Sequence, residues 1–392
     1  MYLVLTINGR RLQENMTKLA DLARTEGGIN RLTYSEAFWR SCDFVEKKMR
    51  DAGMTVRRNA VGNVVGTYPG ASERRIAIGS HIDSVPNGGM FDGCLGVMAA
   101  IEAIHTLHEQ GKTLEHTVDV AAWAEEEGVV ISGLLGSLAY CGLPLAPIHR
   151  EKMGAYGVTM EDVAACQVAG PLDYSVELHI EQGGILDTEK TDIGVVSAIV
   201  ALKRYVMEID GCANHAGTTP MYLRDDALVK AAKFIQRCSE IAPEIDREMV
   251  ITVGRIEVAP NAVNVVPGKV RLTLELRAVE ERSIQEAYDR LMEEFAGVIV
   301  SSKLTQRERA YRMAPQVMEA IRQSGAELGL STREMVSGAG HDTMSLAQVT
   351  RPGMIFVPSV GGISHSPNER TEWSAVTNGA NVLLHTLIRL DR

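Results

Sequence analysis

Residues 75–124 read as a strand, a helix and a second strand in direct succession, and few architectures accept that order. The runs RIAIGSH (75–81) and HTVDVAAWA (116–124) are short, apolar and suited to buried strands. Between them GCLGVMAAIEAIHTLHEQGK (93–112) carries helical periodicity with a largely apolar face. Strand, helix, strand at this spacing is a βαβ unit, so the fold class is α/β with a mainly parallel sheet. Further helices are expected over 9–25 and 34–52, the second closed by Gly53.

The chain has 392 residues, more than one compact core normally holds, and its pattern changes near residue 200. KRYVMEIDG, the helical RDDALVKAAKFIQRCSEIA, MVITVGRIEV, KVRLTLELR, the helical SIQEAYDRLMEEFAG and VIVSSKL give the order βαββαβ, an α+β module. PQVMEAIRQSGAELG, GMIFVPS and a final helix from about 371 then resume the first pattern. The expected organisation is a catalytic α/β domain over 1–199 and 309–392, interrupted by an inserted α+β domain over 200–308.

Composition narrows the function classes. A formal net charge of -10 with no Lys/Arg-rich block argues against a nucleic-acid partner. No signal peptide and no apolar run of membrane-spanning length are read, so a soluble, cytoplasmic protein is expected. The six cysteines are scattered without a Cys-x-x-Cys pair, as reduced and partly buried thiols would be. Cys94 has the place of a nucleophile but no activating pattern around it.

Chemistry-bearing residues concentrate where strands should end. GSHIDSVPNGGMFDGCLGVM (79–98) carries His81, Asp83 and Asp92, and AEEEGVV carries Glu125, Glu126 and Glu127. VELHIEQGG carries His179, and GGISHSPNE carries His365. Taken singly each is ordinary: a strand histidine is more often a core residue, and three glutamates are usually a solvated run. Together they supply imidazoles and carboxylates at the strand ends where α/β sheets open their ligand sites. That donor set suits zinc, manganese or cobalt. A noncatalytic binding protein of the same fold is the competing class.

GSHIDSVPNGGMFDGCLGV, EEEG, LHIEQG, GCANHAGTTPM, PNAVNVVPG, SGAGHD and GGISHSPNE, in this order along nearly the whole chain, resemble the amidase branch of the M20 metallopeptidase-like family. That branch contains N-carbamoyl-L-amino-acid hydrolases, allantoate amidohydrolases and β-ureidopropionases. The resemblance implies two divalent metals (Zn, Mn or Co) about 3.5 Å apart. His81 and His179 would hold one metal, Glu127 and His365 the other, and Asp92 would bridge them. Asp83 would orient the His81 imidazole. Glu126 would be the general base and His215 the donor to the oxyanion. Asn264 and Arg277 would clamp a substrate carboxylate, with Gln182, Arg224 and His341 at further substrate positions.

The implied activity is hydrolysis of the ureido C–N bond of an N-carbamoyl-L-amino acid, with allantoate or a β-ureido acid as alternative substrates. The resemblance further implies a homodimer in which the inserted domains pair and His215 completes the partner's site. Two departures stand out. The family has a small or apolar residue before Glu-Glu-Gly and Arg-Phe soon after it, whereas EEEGVVIS has Glu125 and no Arg-Phe. The family also has Asp-x-Arg where this chain has Glu275 before Arg277.

Overall fold

The computed structural model describes residues 5–391. The chain separates into two compact units, Ala198–Tyr311 and the stretches on either side of it.

The larger unit is built on a nine-stranded sheet whose centre is parallel. Four strands lie there in the order Arg351–Val357, Leu172–Ile180, Arg75–His81, Thr117–Trp123. Thr117–Trp123 is buried throughout, and so is Arg75–His81 after its first residue. Burial on both faces is why these runs are continuously apolar rather than alternating. Antiparallel strands close the flanks: Val64–Tyr68 and Thr55–Arg58 on one side, Ile193–Ile199 on the other. The α/β class and the mainly parallel sheet expected from the βαβ signature are present.

The crossover helix Cys94–Glu109 is buried on almost every side, as a helix must be when sheet covers one face and other helices the rest. It packs on Arg75–His81 and against Trp373–Leu390. Elsewhere Trp123 meets Tyr140 and Leu346, which arrive on the short helices Leu135–Cys141 and Thr343–Leu346.

Two stretches differ from the sequence expectation. The first helix spans Gly9–Asp21 and stops short of residue 25. Arg24–Thr25 instead folds back on Gly28–Ile29, with Gly28 at φ +135°. The apolar spacing runs past the helix end because Ala23 and Ile29 enter the same small core as Ala20. Residues 125–171, where periodicity gave no element, carry three short α-helices, Leu135–Cys141, Pro147–Met153 and Met160–Ala164, and the 3-10 turn Gly154–Tyr156. They close over their own cluster, which includes Ile131, Leu135, Val158 and Val163.

The smaller unit follows the βαββαβ order. Its antiparallel sheet runs Val250–Ala259, Lys269–Ala278, Ala201–Asp210, Ile299–Glu308. Val270, Leu272, Leu274 and Leu276 alternate toward the helices Ala227–Ile245 and Glu281–Glu294, where they meet Phe234 and Ile284. Among the described residues no helix is long and apolar enough to cross a membrane.

Candidate metal centre

The four central strands run the same way, so their C-terminal ends share one side of the sheet, where diverging loops leave a crevice. His81 ends its strand, Glu125–Glu127 follow Trp123, and His179 is the penultimate residue of Leu172–Ile180. His365 lies in the loop after Arg351–Val357, and Asp92 in the loop between His81 and the crossover helix. That helix starts at Gly93, whose φ is +63°. A Cβ there would fall 2.5 Å from the His81 ring. Glycine is required because the loop must turn directly against the imidazole.

Asp92 is the centre of the arrangement. Its Oδ1 lies 3.1 Å from His179 Nε2 and 3.8 Å from His81 Nε2. Its Oδ2 lies 3.1 Å from His365 Nε2, which is 3.5 Å from Glu127 Oε2. The Nδ1 atoms of His81 and His179 face the carbonyls of Asp83 and Ile180, at 3.1 and 2.9 Å. Protons on Nδ1 there point both Nε2 atoms at the cluster, where an ion would replace the proton that His179 Nε2 shares with Asp92.

Two sets of three side chains have ligand atoms close enough to share an ion: His81, Asp92, His179, and Asp92, Glu127, His365. Asp92 belongs to both. Glu126 falls in a third set with His81 and Glu127, its Oε2 3.7 Å from His81 Nε2. A fourth set, Glu177, His179 and His341, is already hydrogen-bonded: Glu177 accepts from Ser80 and Thr343, and His341 Nε2 is 2.8 Å from Ser337 Oγ.

The electrostatics of this cluster suit a cation. Burial lowers His81 to about 4, and burial followed by the Asp92 charge raises Glu127 to about 8. Burial, then the carboxylates of Asp342 and Glu127, push Glu126 well above the usual carboxylate range. Burial alone would raise Asp92, but hydrogen bonds from His179 and His365 hold it well below its ordinary value. Glu127 Oε1 is buried without a hydrogen-bond partner. An orphaned carboxylate oxygen among elevated carboxylates is what a divalent ion relieves, so the donor set fits metal.

The glutamate loop is fixed from below by Asp83. Its two carboxylate oxygens accept the backbone N–H groups of Glu126 and Glu127, each at 3.2 Å. Its carboxylate is 3.6 Å from His81 Nδ1, so the ring's closer contact is the Asp83 carbonyl. Glu125 turns the other way. At φ +61° it buries its carboxylate and accepts the N–H groups of Val130 and Ile131. The residue that departs from the family pattern therefore clamps its own loop.

A cavity of about 230 Å3 opens over the cluster, walled also by Gln182, Ala339, Gly340 and His341. Gln182 Nε2 donates to Asp92 Oδ2 at 3.1 Å. His341 is buried edge-on to His179, and burial followed by the His179 charge pushes its pKa well down. Gln182 and His365, like Glu125, hold positive φ (+58° and +52°) without being glycine. Strained backbone of this kind gathers at functional sites. Cys94 is buried and pushed up to about 11, the state of an unreactive thiol.

The remaining candidates lie in the smaller unit. His215 is exposed on the two-residue strand Asn214–His215, paired with Val265–Val266. Its Nδ1 accepts the N–H groups of Gly217 and Thr218 at 3.0 and 3.3 Å, which puts the ring proton on Nε2. Arg224 holds the same turn together by donating to the carbonyls of Thr219 and Ala216. Asn264 accepts the Ala216 N–H through its carbonyl at 2.9 Å, and its side chain is exposed. Arg277 alternates with the core residues of its strand, so it lies on the sheet face away from the helices. Its Nε donates to Glu275 at 2.7 Å, and Arg204 grips the other Glu275 oxygen.

Sequence reasoning passed over three buried groups beside the centre. Glu369 accepts backbone N–H groups of the Asp92 loop. Asp342 is raised well above the usual range by burial and then Glu177. Arg31, fully buried, donates to the carbonyls of Ile82 and Leu19 and to Cys94 Sγ. Glu369 stood inside the GGISHSPNE motif, but nothing in a string separates it from a surface carboxylate.

The profile of the peptidase family M20/M25/M40 matches residues 77–389. An N-carbamoyl-L-amino-acid amidohydrolase of Paenarthrobacter aurescens is 37% identical over 403 residues, covering 97% of this chain and 98% of that one. An allantoate amidohydrolase of Escherichia coli (strain K12) is 34% identical over 383 residues, covering 93% of each. Among solved structures, a hydantoinase/carbamoylase-family amidase from Burkholderia multivorans superposes with a TM-score of 0.91 at 30% identity, covering 99% of both chains.

Proposed function

Because the chain belongs to the peptidase family M20/M25/M40, we propose that it hydrolyses the ureido C–N bond of an N-carbamoyl-L-amino acid. Amino acid, ammonia and carbon dioxide are the products. The observation that carries the chemistry is the buried Asp92, shared by two potential ligand sets, with Glu126 beside them. In this reading His81, His179 and Asp92 hold one divalent ion, and Asp92, Glu127 and His365 hold a second. Such a pair would supply Lewis acidity and lower the pKa of the attacking water.

The chain's own groups do the rest. Glu126, made more basic by burial and its neighbours, takes a proton from the attacking water and returns it to the leaving nitrogen. His215, with its proton on Nε2, donates to the oxyanion that develops on the ureido carbonyl. Arg277 offers the substrate carboxylate a planar cation, and Asn264 an amide. Gln182 and His341 line the cavity over the reacting carbon.

The substrate class rests on the relatives, and a panel tests it. Ammonia release should be seen with carbamoyl-methionine in the presence of Mn2+, Co2+ or Zn2+. Faster turnover of allantoate, or of a β-ureido acid, would reassign the substrate within the same chemistry. No turnover on any of them would favour a binding protein.

The same reading makes the protein a homodimer with His215 acting in trans. Support comes from the smaller unit: Val250–Ala259 and Ile299–Glu308 are edge strands of its sheet, and Ile256, Val300 and Leu304 are exposed on them. Met221, Tyr222 and Leu223, beside the His215 turn, are exposed as well. Uncovered edges and apolar side chains are what a two-fold pairing would bury. Mixing inactive Glu126→Gln chains with inactive His215→Ala chains, under conditions of subunit exchange, should restore activity. If His215 serves its own chain, each heterodimer subunit still lacks one group and the mixture stays inactive.

A further inference from the structure

Asp92 and His365 reach the centre from loops at opposite ends of the sequence, and one carboxylate ties those loops together. Glu369 is buried. Its Oε1 accepts the backbone N–H groups of Phe91 at 2.9 Å and Asp92 at 3.1 Å. Its Oε2 accepts the Ser364 hydroxyl at 3.0 Å. Ser364 immediately precedes His365, and its Oγ is also 3.5 Å from Asp92 Oδ2. Room for this contact comes from Gly89, where a Cβ would fall 2.1 Å from Glu369 Oε1.

Both tied loops need an external brace. The Asp92 loop contains Gly88, Gly89 and Gly93, and the His365 loop has Gly361 and Gly362 at positive φ, so neither backbone holds its own shape strongly. His365 itself is about half exposed and sits at φ +52°. Packing therefore fixes it less than it fixes His81 or His179, both buried in strands.

We propose that Glu369 is a positioning residue for the cradle: it sets the spacing between Asp92 and His365 so that Oδ2 and Nε2 converge on one ion. This rests on the two-ion reading above. The role is one of hydrogen-bond geometry, not of charge. Glutamine at 369 keeps an oxygen for the Phe91 and Asp92 N–H groups and can donate its amide to Ser364. Alanine loses both ties and leaves two buried N–H groups unmatched.

The test is competitive Mn2+ titration of metal-stripped protein against a chelating dye, with folding checked by circular dichroism. Wild type should take two ions per chain. Glu369→Ala should hold the ion shared by Asp92 and His365 about 10–100-fold more weakly, and the other ion should be affected less. Glu369→Gln should bind both as wild type does. Wild-type affinity for both ions in Glu369→Ala overturns the inference, and so does a Glu369→Gln as weak as the alanine variant. If Glu369→Ala does not fold, Ser364→Ala carries the test, since it cuts the tie to the His365 loop and leaves the Glu369 bonds to the Phe91 and Asp92 N–H groups in place. It should weaken the same ion, and unchanged affinity for both ions overturns the inference. Fewer than two ions in wild type would sink the two-ion reading itself, together with this role.

Discussion

Glu126→Gln is expected to leave metal content at the wild-type level and to lower turnover by roughly a hundred- to ten-thousand-fold. Glutamine matches the shape of glutamate, and the loop is held by backbone N–H bonds to Asp83 that the substitution does not touch. Only the proton acceptor is lost. Elemental analysis alongside kcat at saturating Mn2+ measures both halves. Glu126 and Glu127 are adjacent and both lie against the cluster, so the assignment has a sharp alternative. If Glu126→Gln sheds an ion while Glu127→Gln keeps both and loses only rate, the two roles are exchanged.

Removing Asp92 should do more. Asp92→Ala takes away the one side chain common to both ligand sets and the shared partner of His179 and His365. Both ions and all measurable turnover should go, whereas His365→Ala should chiefly weaken one ion. Ligand-linked stabilisation should vanish with the ions. Wild-type melting should shift upward with added Mn2+, and that of Asp92→Ala should not. A fully loaded Asp92→Ala protein would contradict the bridging role.

What the sequence made legible follows from how local each signal is. The parallel sheet could be read because Arg75–His81 and Thr117–Trp123 are buried on both faces, which leaves an unbroken apolar run. The smaller unit could be read because strands such as Lys269–Ala278 alternate cleanly between core and surface. The short helices of 135–164 carry too few turns for a period to show. In the site, ligand types at strand ends were visible as residues, but their supports were not. Positive φ at Glu125, Gln182 and His365 has no signature in non-glycine residues. The contacts of Glu369 and Arg31 join positions 277 and 63 residues away, respectively. Glu125 reads as one of three solvated carboxylates and is instead a buried loop clamp, because its partners are backbone N–H groups that a sequence does not display.

The strand order also bears on how the chain is made. Arg351–Val357, which leads to His365, pairs with Leu172–Ile180 across a stretch of sequence containing the whole of Ala198–Tyr311. A ribosome therefore releases His81, Asp92, Glu127 and His179 before the smaller unit begins, and His365 well after it ends. Until the late strand inserts, Leu172–Ile180 presents a bare edge, the state in which nascent chains pair wrongly. The same insertion that removes this hazard delivers the last imidazole. A complete cradle can form only in a molecule whose final central strand is in place, so on the two-ion reading capture of the ions would mark a chain that has finished folding.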